Sequence, residues 1–169
     1  MKENFSAREA KGNMMKKMLV SFFGFLAFAA SVSAYDAAKA EQFHAFYSHM
    51  TQKACANSTL FVTAEDVMKT LRERKAVTLL DVRTDAEAGV VALSAPNALH
   101  IPMERLFEKT SLDRLPSDRP ILIVCHSGTR AVMAAVSLKM AGIKNVQVVK
   151  GGIVALANAD STKNAPIKE

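Results

Sequence analysis

The stretch PILIVCHSGTR occupies residues 120–130 and decides the fold. Ile121 to Val124 form a continuous apolar run, which is typical of a strand buried on both faces of a parallel sheet. Residues 131–140 follow with a helical pattern, so Cys125 is predicted to lie between the carboxyl end of a strand and the amino end of a helix. Main-chain N–H groups and the helix dipole favour an anion at such a position. The sequence therefore predicts a reactive thiolate at Cys125 rather than an inert buried thiol.

Four further segments are predicted to be strands, and helical patterns separate them. Thr63 and Asp66 have the spacing of a helix cap. Met133 and Met140 lie seven residues apart on the helix after the cysteine and are predicted to face the core. Strands that alternate with helices at such short spacing indicate an α/β fold with a parallel sheet. The further predicted strands are residues 60–62, 77–82, 98–101 and 146–149.

Four segments, taken together and in order, resemble the rhodanese family of sulfurtransferases. They are LLDVR at residues 79–83 with Glu87, NALHIP at 97–102, CHSGTR at 125–130 and VVKGG at 148–152. The resemblance implies the rhodanese-like fold, a central parallel five-stranded sheet flanked by helices. Two departures concern the wall of the pocket. Residues 153–155 are IVA where the family has a tryptophan after its glycine pair, and residues 88–95 lack the usual Gly-His-Ile.

The resemblance also implies a role for each residue of the site. Cys125 is expected to be the catalytic nucleophile. The remaining residues of its loop are expected to bind the substrate, and they are His126, Ser127, Gly128, Thr129 and Arg130. Asp81, Arg83 and Glu87 are expected to support the loop. Arg130 either binds the substrate or braces the loop by pairing with Asp81 or Glu87.

The reaction implied is the transfer of a sulfane sulfur through a persulfide on Cys125. The donor is a small sulfur anion such as thiosulfate, a polysulfide or a persulfide, and the acceptor is a thiol or cyanide. This covalent cycle needs no metal and no cofactor.

Two other functions stay open. A non-catalytic carrier of sulfane sulfur would use the same cysteine, so the sequence does not separate it from an enzyme. A rhodanese-like phosphatase or arsenate reductase would have five residues between cysteine and arginine. Here only four intervene, residues 126–129, and the tighter loop favours a sulfur-sized reaction centre over a tetrahedral phosphate.

The amino-terminal residues have the layout of an export signal. Lys16 and Lys17 precede apolar residues 18–30, and residues 32–34 supply small side chains for cleavage. The predicted divisions are a signal peptide at 1–34, a helical extension at 35–58, a rhodanese-like domain at 59–160 and a tail at 161–169. Asp36 is predicted to cap an extra helix to about Lys53. Its apolar face, formed by Phe43, Phe46, Tyr47 and Met50, is predicted to pack on the domain.

This layout predicts export, to the bacterial periplasm. An uncleaved signal that anchors the chain stays open as the alternative, and it is the only membrane contact expected. A start at Met14 or Met15 also stays open.

Charge and cysteine content limit the possible partners further. The chain has 22 basic and 16 acidic residues, a net charge of +6, but residues 1–34 hold five of the basic and two of the acidic ones. The remainder carries 17 against 14, or +3, and its basic residues are scattered, so nucleic acid is not an expected partner. A disulfide between Cys55 and Cys125 is the alternative to a free nucleophile.

Overall fold

The computed structural model describes residues 34–160 of the chain. The predicted signal peptide, apart from Ala34, and the predicted tail at residues 161–169 lie outside the described residues. The described residues fall into two units, residues 34–44 and residues 45–160. The sheet and the cysteine loop belong to the second unit.

The second unit is built on a sheet of five parallel strands, in the order β1-β5-β4-β2-β3. The strands are β1 (Phe61–Val62), β2 (Thr78–Asp81), β3 (Leu99–His100), β4 (Ile121–Val124) and β5 (Val146–Val149). Every residue of β2 and β4 is buried. Burial on both faces is why β4 is a continuous apolar run, whereas β2 has polar residues at its ends, Thr78 and Asp81. The predicted fold class is confirmed.

Seven α-helices and one 3-10 helix (Met103–Arg105) lie within residues 34–160. The α-helices are α1 (Ala37–Tyr47), α2 (Gln52–Ala56), α3 (Ala64–Arg72), α4 (Asp85–Val90), α5 (Lys109–Leu112), α6 (Thr129–Met140) and α7 (Gly152–Ala159). None of the helices in this part of the chain is both long enough and apolar enough to span a membrane.

Helices cover both faces of the sheet. Successive strand residues point to opposite faces, so Leu122 and Ile123 of β4 belong to different cores. Ile123 packs in one apolar cluster with the inner face of α6. Leu122 packs in a second cluster with Val67 of α3 and Leu156 of α7. The two-sided core holds the strand ends, and therefore the cysteine loop, in a fixed arrangement.

The inner face of α6 is not the one predicted. Its fully buried residues follow the helical spacing i, i+3, i+4, i+7, and they are Ala131, Ala134, Ala135 and Leu138. Met133 falls outside this stripe and is 51% exposed, so the prediction that it faces the core is wrong. The small alanine side chains leave room for the helix to lie close to the sheet.

The amino-terminal extension also differs from the prediction. The single helix predicted from Asp36 onward is two helices, α1 and α2. The first helix ends at Tyr47, and the second begins after Thr51, whose side chain accepts the N–H of Ala54 at 3.2 Å as a helix cap. Within the second unit, Tyr47 and Met50 are 45% and 52% exposed, so the predicted apolar face is not buried there.

The helix cap predicted at Thr63 is present in the structure. The Thr63 side chain accepts the N–H of Asp66 at 3.1 Å, and α3 begins there as predicted. Helices α4, α5 and α7 were not predicted. Their segments are short, and α7 is mostly apolar and small, so neither a helical stripe nor a cap residue marks it.

The packing of α6 gives a stability prediction. Leu138→Ala removes a fully buried side chain from the core, and we expect the free energy of unfolding to fall by about 2–5 kcal/mol. Met133→Ala on the exposed side of the same helix is the matched control, and it should change stability by less than about 0.5 kcal/mol. Urea unfolding followed by circular dichroism measures both. Equal losses from the two variants would contradict the assigned face.

Candidate active site

Three strand ends meet at one edge of the sheet. β2 ends at Asp81, β4 ends immediately before Cys125, and β5 ends immediately before Lys150. Parallel strands present their carboxyl ends on the same side, and open α/β sheets bind ligands there. The residues singled out from the sequence therefore come together although more than forty positions separate Asp81 from Cys125.

Cys125 lies at the base of its loop, between β4 and α6. The residue is 1% exposed, and its Sγ accepts the main-chain N–H of Gly128 at 3.1 Å. Gly128 caps α6 with φ at +114°, a conformation that residues with a Cβ rarely adopt. The N–H contact and the amino end of the helix both stabilise negative charge on the sulfur.

The first turn of α7 fixes the orientation of the loop. The N–H of Ile153 donates to the carbonyl of Cys125 at 2.8 Å, and the N–H of Val154 donates to the carbonyl of His126 at 3.4 Å. In a trans peptide unit the N–H points opposite to the carbonyl. The N–H groups of His126 and Ser127 therefore point away from α7. On that side of the loop they can donate to an anion.

Gly152 makes this close approach possible. A Cβ at Gly152 would overlap the carbonyl oxygen of Cys125 and would lie 2.6 Å from that of His126. The residue also has φ at +59°. The glycine pair noted in the sequence is thus part of the loop's support, a role that residue chemistry alone did not indicate. Gly152, Ile153 and Val154 are the site residues that sequence reasoning missed.

A second support comes from α4. Glu87 accepts two hydrogen bonds from the Arg130 guanidinium, at 2.7 Å from Nη1 and 2.6 Å from Nη2. Thr84 begins α4 with a capping box, because its side chain accepts the N–H of Glu87 while the Glu87 carboxylate accepts the N–H of Thr84. Of the two partners expected for Arg130, the structure has Glu87.

Glu87 and Arg130 each stabilise the charged form of the other, and Arg130 also interacts with Cys125. Arg130, and after it the N–H of Thr84, hold the pKa of Glu87 well below its usual range. Glu87 in turn raises the pKa of Arg130, and Cys125 raises it further. Arg130 therefore stays charged beside both the carboxylate that braces it and the sulfur that it faces.

Asp81 and Arg83 form a separate, buried ion pair. Arg83 Nε donates to Asp81 Oδ1 at 2.9 Å and Nη2 donates to Oδ2 at 2.7 Å, with both side chains under 5% exposed. Arg83 Nη2 also donates to the carbonyl of Val91 at 2.6 Å, just past the end of α4. The pair holds α4, which carries Glu87, against the end of β2. How much Asp81, Arg83 and Glu87 contribute to activity stays a prediction.

The other residues of the loop differ in their exposure to solvent. His126, Ser127 and Thr129 are exposed, whereas Gly128 is buried and Arg130 is half-buried. The site thus has a buried, hydrogen-bonded sulfur beneath a rim of polar side chains. That arrangement suits attack on a small anion which approaches from solvent.

The thiol has no competing partner in the described part of the chain. Cys55 and Cys125 are both free, the first exposed and the second buried, so the alternative of a disulfide between them is not seen. Among residues 34–160, no three His, Cys, Asp or Glu side chains are grouped to hold a metal ion.

Comparison with known proteins agrees with this geometry. Residues 63–159 match the Rhodanese-like domain family. The chain belongs to the rhodanese family. That family membership, expected from the four sequence segments, is therefore confirmed.

Individual relatives point the same way. Over 96 residues the chain is 32% identical to a sulfurtransferase of Allochromatium vinosum, which covers 57% of this chain and 86% of the relative. Over 117 residues it is 30% identical to the probable adenylyltransferase/sulfurtransferase MoeZ of Mycobacterium tuberculosis, covering 69% of this chain but 29% of that longer protein. These relatives support a rhodanese-type sulfurtransferase at the level of the family.

A solved structure gives the same fold. The rhodanese-like domain protein of Staphylococcus aureus superposes with a TM-score of 0.51 at 28% identity, over 64% of this chain and 98% of that one.

The close approach at Gly152 gives a testable prediction. Gly152→Ala should lower the free energy of unfolding by about 2 kcal/mol or more, since a methyl group meets two carbonyls and φ is positive. Gly89→Ala in α4 is the matched control, because nothing lies within 4 Å of its added Cβ. We expect Gly89→Ala to be neutral or to stabilise by up to about 1 kcal/mol. Denaturant unfolding of both variants makes the comparison, and a neutral Gly152→Ala would contradict the close contact.

The depressed pKa of Glu87 gives a prediction about pH. A carboxyl with a lowered folded-state pKa stabilises above its unfolded pKa, about 4.3, and that contribution is lost as pH falls toward the folded value. Glu87→Gln should therefore be less stable than wild type near neutral pH, with the gap closing below about pH 4.

Unfolding by urea at several pH values measures this gap. Glu104→Gln is the control, since Glu104 is exposed and makes no ion pair within residues 34–160. Its stability should track wild type throughout. A Glu87→Gln gap that stayed constant from neutral pH into the acid range would rule out the ionised pair as its source.

Proposed function

We propose that this protein is a sulfurtransferase that moves a sulfane sulfur from thiosulfate, or from a polysulfide or persulfide, to a thiol or cyanide. The observation that carries the proposal is the Cys125 sulfur, which accepts the Gly128 N–H at the amino end of α6. Membership of the rhodanese family supports the reaction class. The thiosulfate donor and the persulfide intermediate are part of the proposal.

In the first half-reaction, the Cys125 thiolate attacks the outer sulfur of thiosulfate. A new S–S bond forms, the bond between the two sulfurs of thiosulfate breaks, and sulfite leaves with the electron pair. Cys125 then carries a terminal persulfide anion. The outward N–H groups of His126 and Ser127, with the N–H of Gly128, are suited to stabilise this charge without reorganising.

In the second half-reaction, an acceptor anion attacks the terminal sulfur. The persulfide bond breaks, Cys125 returns as the thiolate, and cyanide leaves as thiocyanate or a thiolate leaves as its persulfide. The cycle is ping-pong covalent catalysis. Net charge and atoms balance in each step, so the cycle requires no redox partner.

Roles for the remaining loop residues follow from their positions. The exposed side chains of Ser127, Thr129 and His126 are suited to meet the donor's oxygens or the departing sulfite. Both Nη groups of Arg130 donate hydrogen bonds to the Glu87 carboxylate. We therefore assign Arg130 to bracing the loop and to the local positive field rather than to forked binding of the substrate.

The size of the loop disfavours phosphate chemistry. Four residues separate Cys125 from Arg130, and the Gly128 N–H already reaches the sulfur at 3.1 Å. A loop this small suits an anion bonded directly to the Cys125 sulfur better than a tetrahedral phosphate bound next to that sulfur. For the place of action we propose the periplasm, on the strength of the signal-like residues 1–34.

Intact mass spectrometry tests the proposal. Incubation of the purified protein with thiosulfate should add about 32 Da, the mass of one sulfur, and cyanide should remove it. Cys125→Ser should show no gain. Cys55→Ser is the matched control and should gain the sulfur as wild type does, because Cys55 is exposed and lies outside the loop.

Two outcomes would revise the proposal. A sulfur that loads on Cys125 but turns over no faster than free thiol would identify a carrier in place of an enzyme. Failure of thiosulfate, polysulfide and persulfide donors alike to load Cys125 would refute sulfur transfer.

A further inference from the structure

A largely apolar cavity of about 490 Å³ adjoins the cysteine loop. Its walls come from the end of α4 and the start of α7, and His126 of the loop lies at its edge. We call it the valine cavity, after its three valines. The apolar side chains in its lining are Val90, Val91, Ile153, Val154 and Ala157. The same two wall segments depart from the family pattern in sequence.

Hydrogen bonds join the walls of the valine cavity to the main chain of the cysteine loop. Ile153 donates its N–H to the carbonyl of Cys125, and Val154 donates to that of His126. Glu87, on the opposite wall, holds Arg130 of the loop. A molecule seated in the cavity therefore lies beside the loop that would carry the persulfide.

The charged groups of this cavity are already compensated. Arg83 is paired with Asp81 and with the carbonyl of Val91. Glu87 is paired at both oxygens with Arg130. Neither Arg83 nor Glu87 is therefore free to pair with the carboxylates or phosphates of a small ionic thiol, and the other polar side chains of the lining are His126 and Asn158.

The apolar surface extends beyond the cavity itself. Val90 is 85% exposed, Val91 is 51% exposed and Val154 is 45% exposed. A ligand small enough to fit inside the cavity would leave most of Val90 in water. Contiguous exposed apolar side chains of this kind are typical of a surface that another protein covers.

We propose that the valine cavity receives an apolar side chain that flanks the accepting cysteine of a protein substrate. The physiological acceptor is then a protein thiol set in an apolar surface rather than a small charged thiol. The inference rests on the proposed sulfur transfer, of which it names the acceptor class. The acceptor thiol gives its proton to solvent, its sulfur bonds to the terminal persulfide sulfur, and the Cys125 sulfur leaves as thiolate.

Single-turnover desulfuration of the loaded protein tests this acceptor class. The probes are a short peptide with cysteine between two leucines, a matched peptide with cysteine between two serines, glutathione and cyanide. For wild type we expect the leucine peptide to react about tenfold faster than the serine peptide or glutathione. Similar rates for the three thiols, corrected for thiolate content, would overturn the inference.

Substitutions test whether the preference for the leucine peptide arises at the valine cavity. Val90→Ser, the valine variant, should lower the ratio of the leucine-peptide rate to the cyanide rate about tenfold. Val91 and Val154 are left intact because the first binds Arg83 and the second supports the cysteine loop through His126. Phe107→Ser, at an exposed apolar residue outside the cavity, is the matched control and should leave the ratio unchanged. An unchanged ratio in the valine variant would also overturn the inference.

A binding measurement separates this inference from the proposed function. A fluorescent leucine peptide with serine in place of cysteine should bind wild type more tightly than the valine variant, whether or not Cys125 loads with sulfur. Equal binding by the two proteins counts against the cavity. Mass spectrometry that finds no loading counts against sulfur transfer alone. Concentration-dependent self-association that the valine variant abolishes would assign the surface to a second copy and overturn the inference.

Discussion

The site depends on the close approach of α7 to the cysteine loop. That approach turns the carbonyls of Cys125 and His126 toward α7, where two main-chain N–H groups bind them. Because the peptide units are trans, the N–H groups that follow are turned the other way. An anion-binding loop must present donors and hide acceptors, and here one packing contact at Gly152 does both. The same contact places α7 as a wall of the valine cavity.

Two ion pairs support the cysteine loop through α4, and one of them is buried whereas the other is partly exposed. The pair between Asp81 and Arg83 is buried and fixes the end of α4 to β2. The pair between Glu87 and Arg130 is about one-third exposed and connects α4 to the loop. Together they form a path of hydrogen bonds from the sheet, through α4, to Arg130 in the first turn of α6. Removal of a partner from the buried pair leaves an uncompensated charge, which is more costly than a break in an exposed pair.

Local signals predicted those parts of the fold whose cause is local. The run from Ile121 to Val124 is apolar because both faces of β4 are covered, and α3 begins at Thr63 because its side chain binds the N–H of Asp66, three residues on. The misses have physical causes too. Helix α7 has no cap side chain, since Gly151 and Gly152 serve the backbone approach and not the helix. Met133 is hydrophobic and yet exposed, because α6 packs through its alanines.

The sequence by itself determined the parallel α/β class, the position of Cys125 between a strand and a helix, and the acidic partners open to Arg130. Each of these follows from neighbouring residues or from the rule that parallel strands end on one side of a sheet. Only the tertiary structure decided that Glu87 takes Arg130 while Asp81 takes Arg83, and that residues 152–154 support the loop. The reason is that these contacts join segments distant in sequence, and their choice depends on helix placement to within an ångström, which no local pattern encodes.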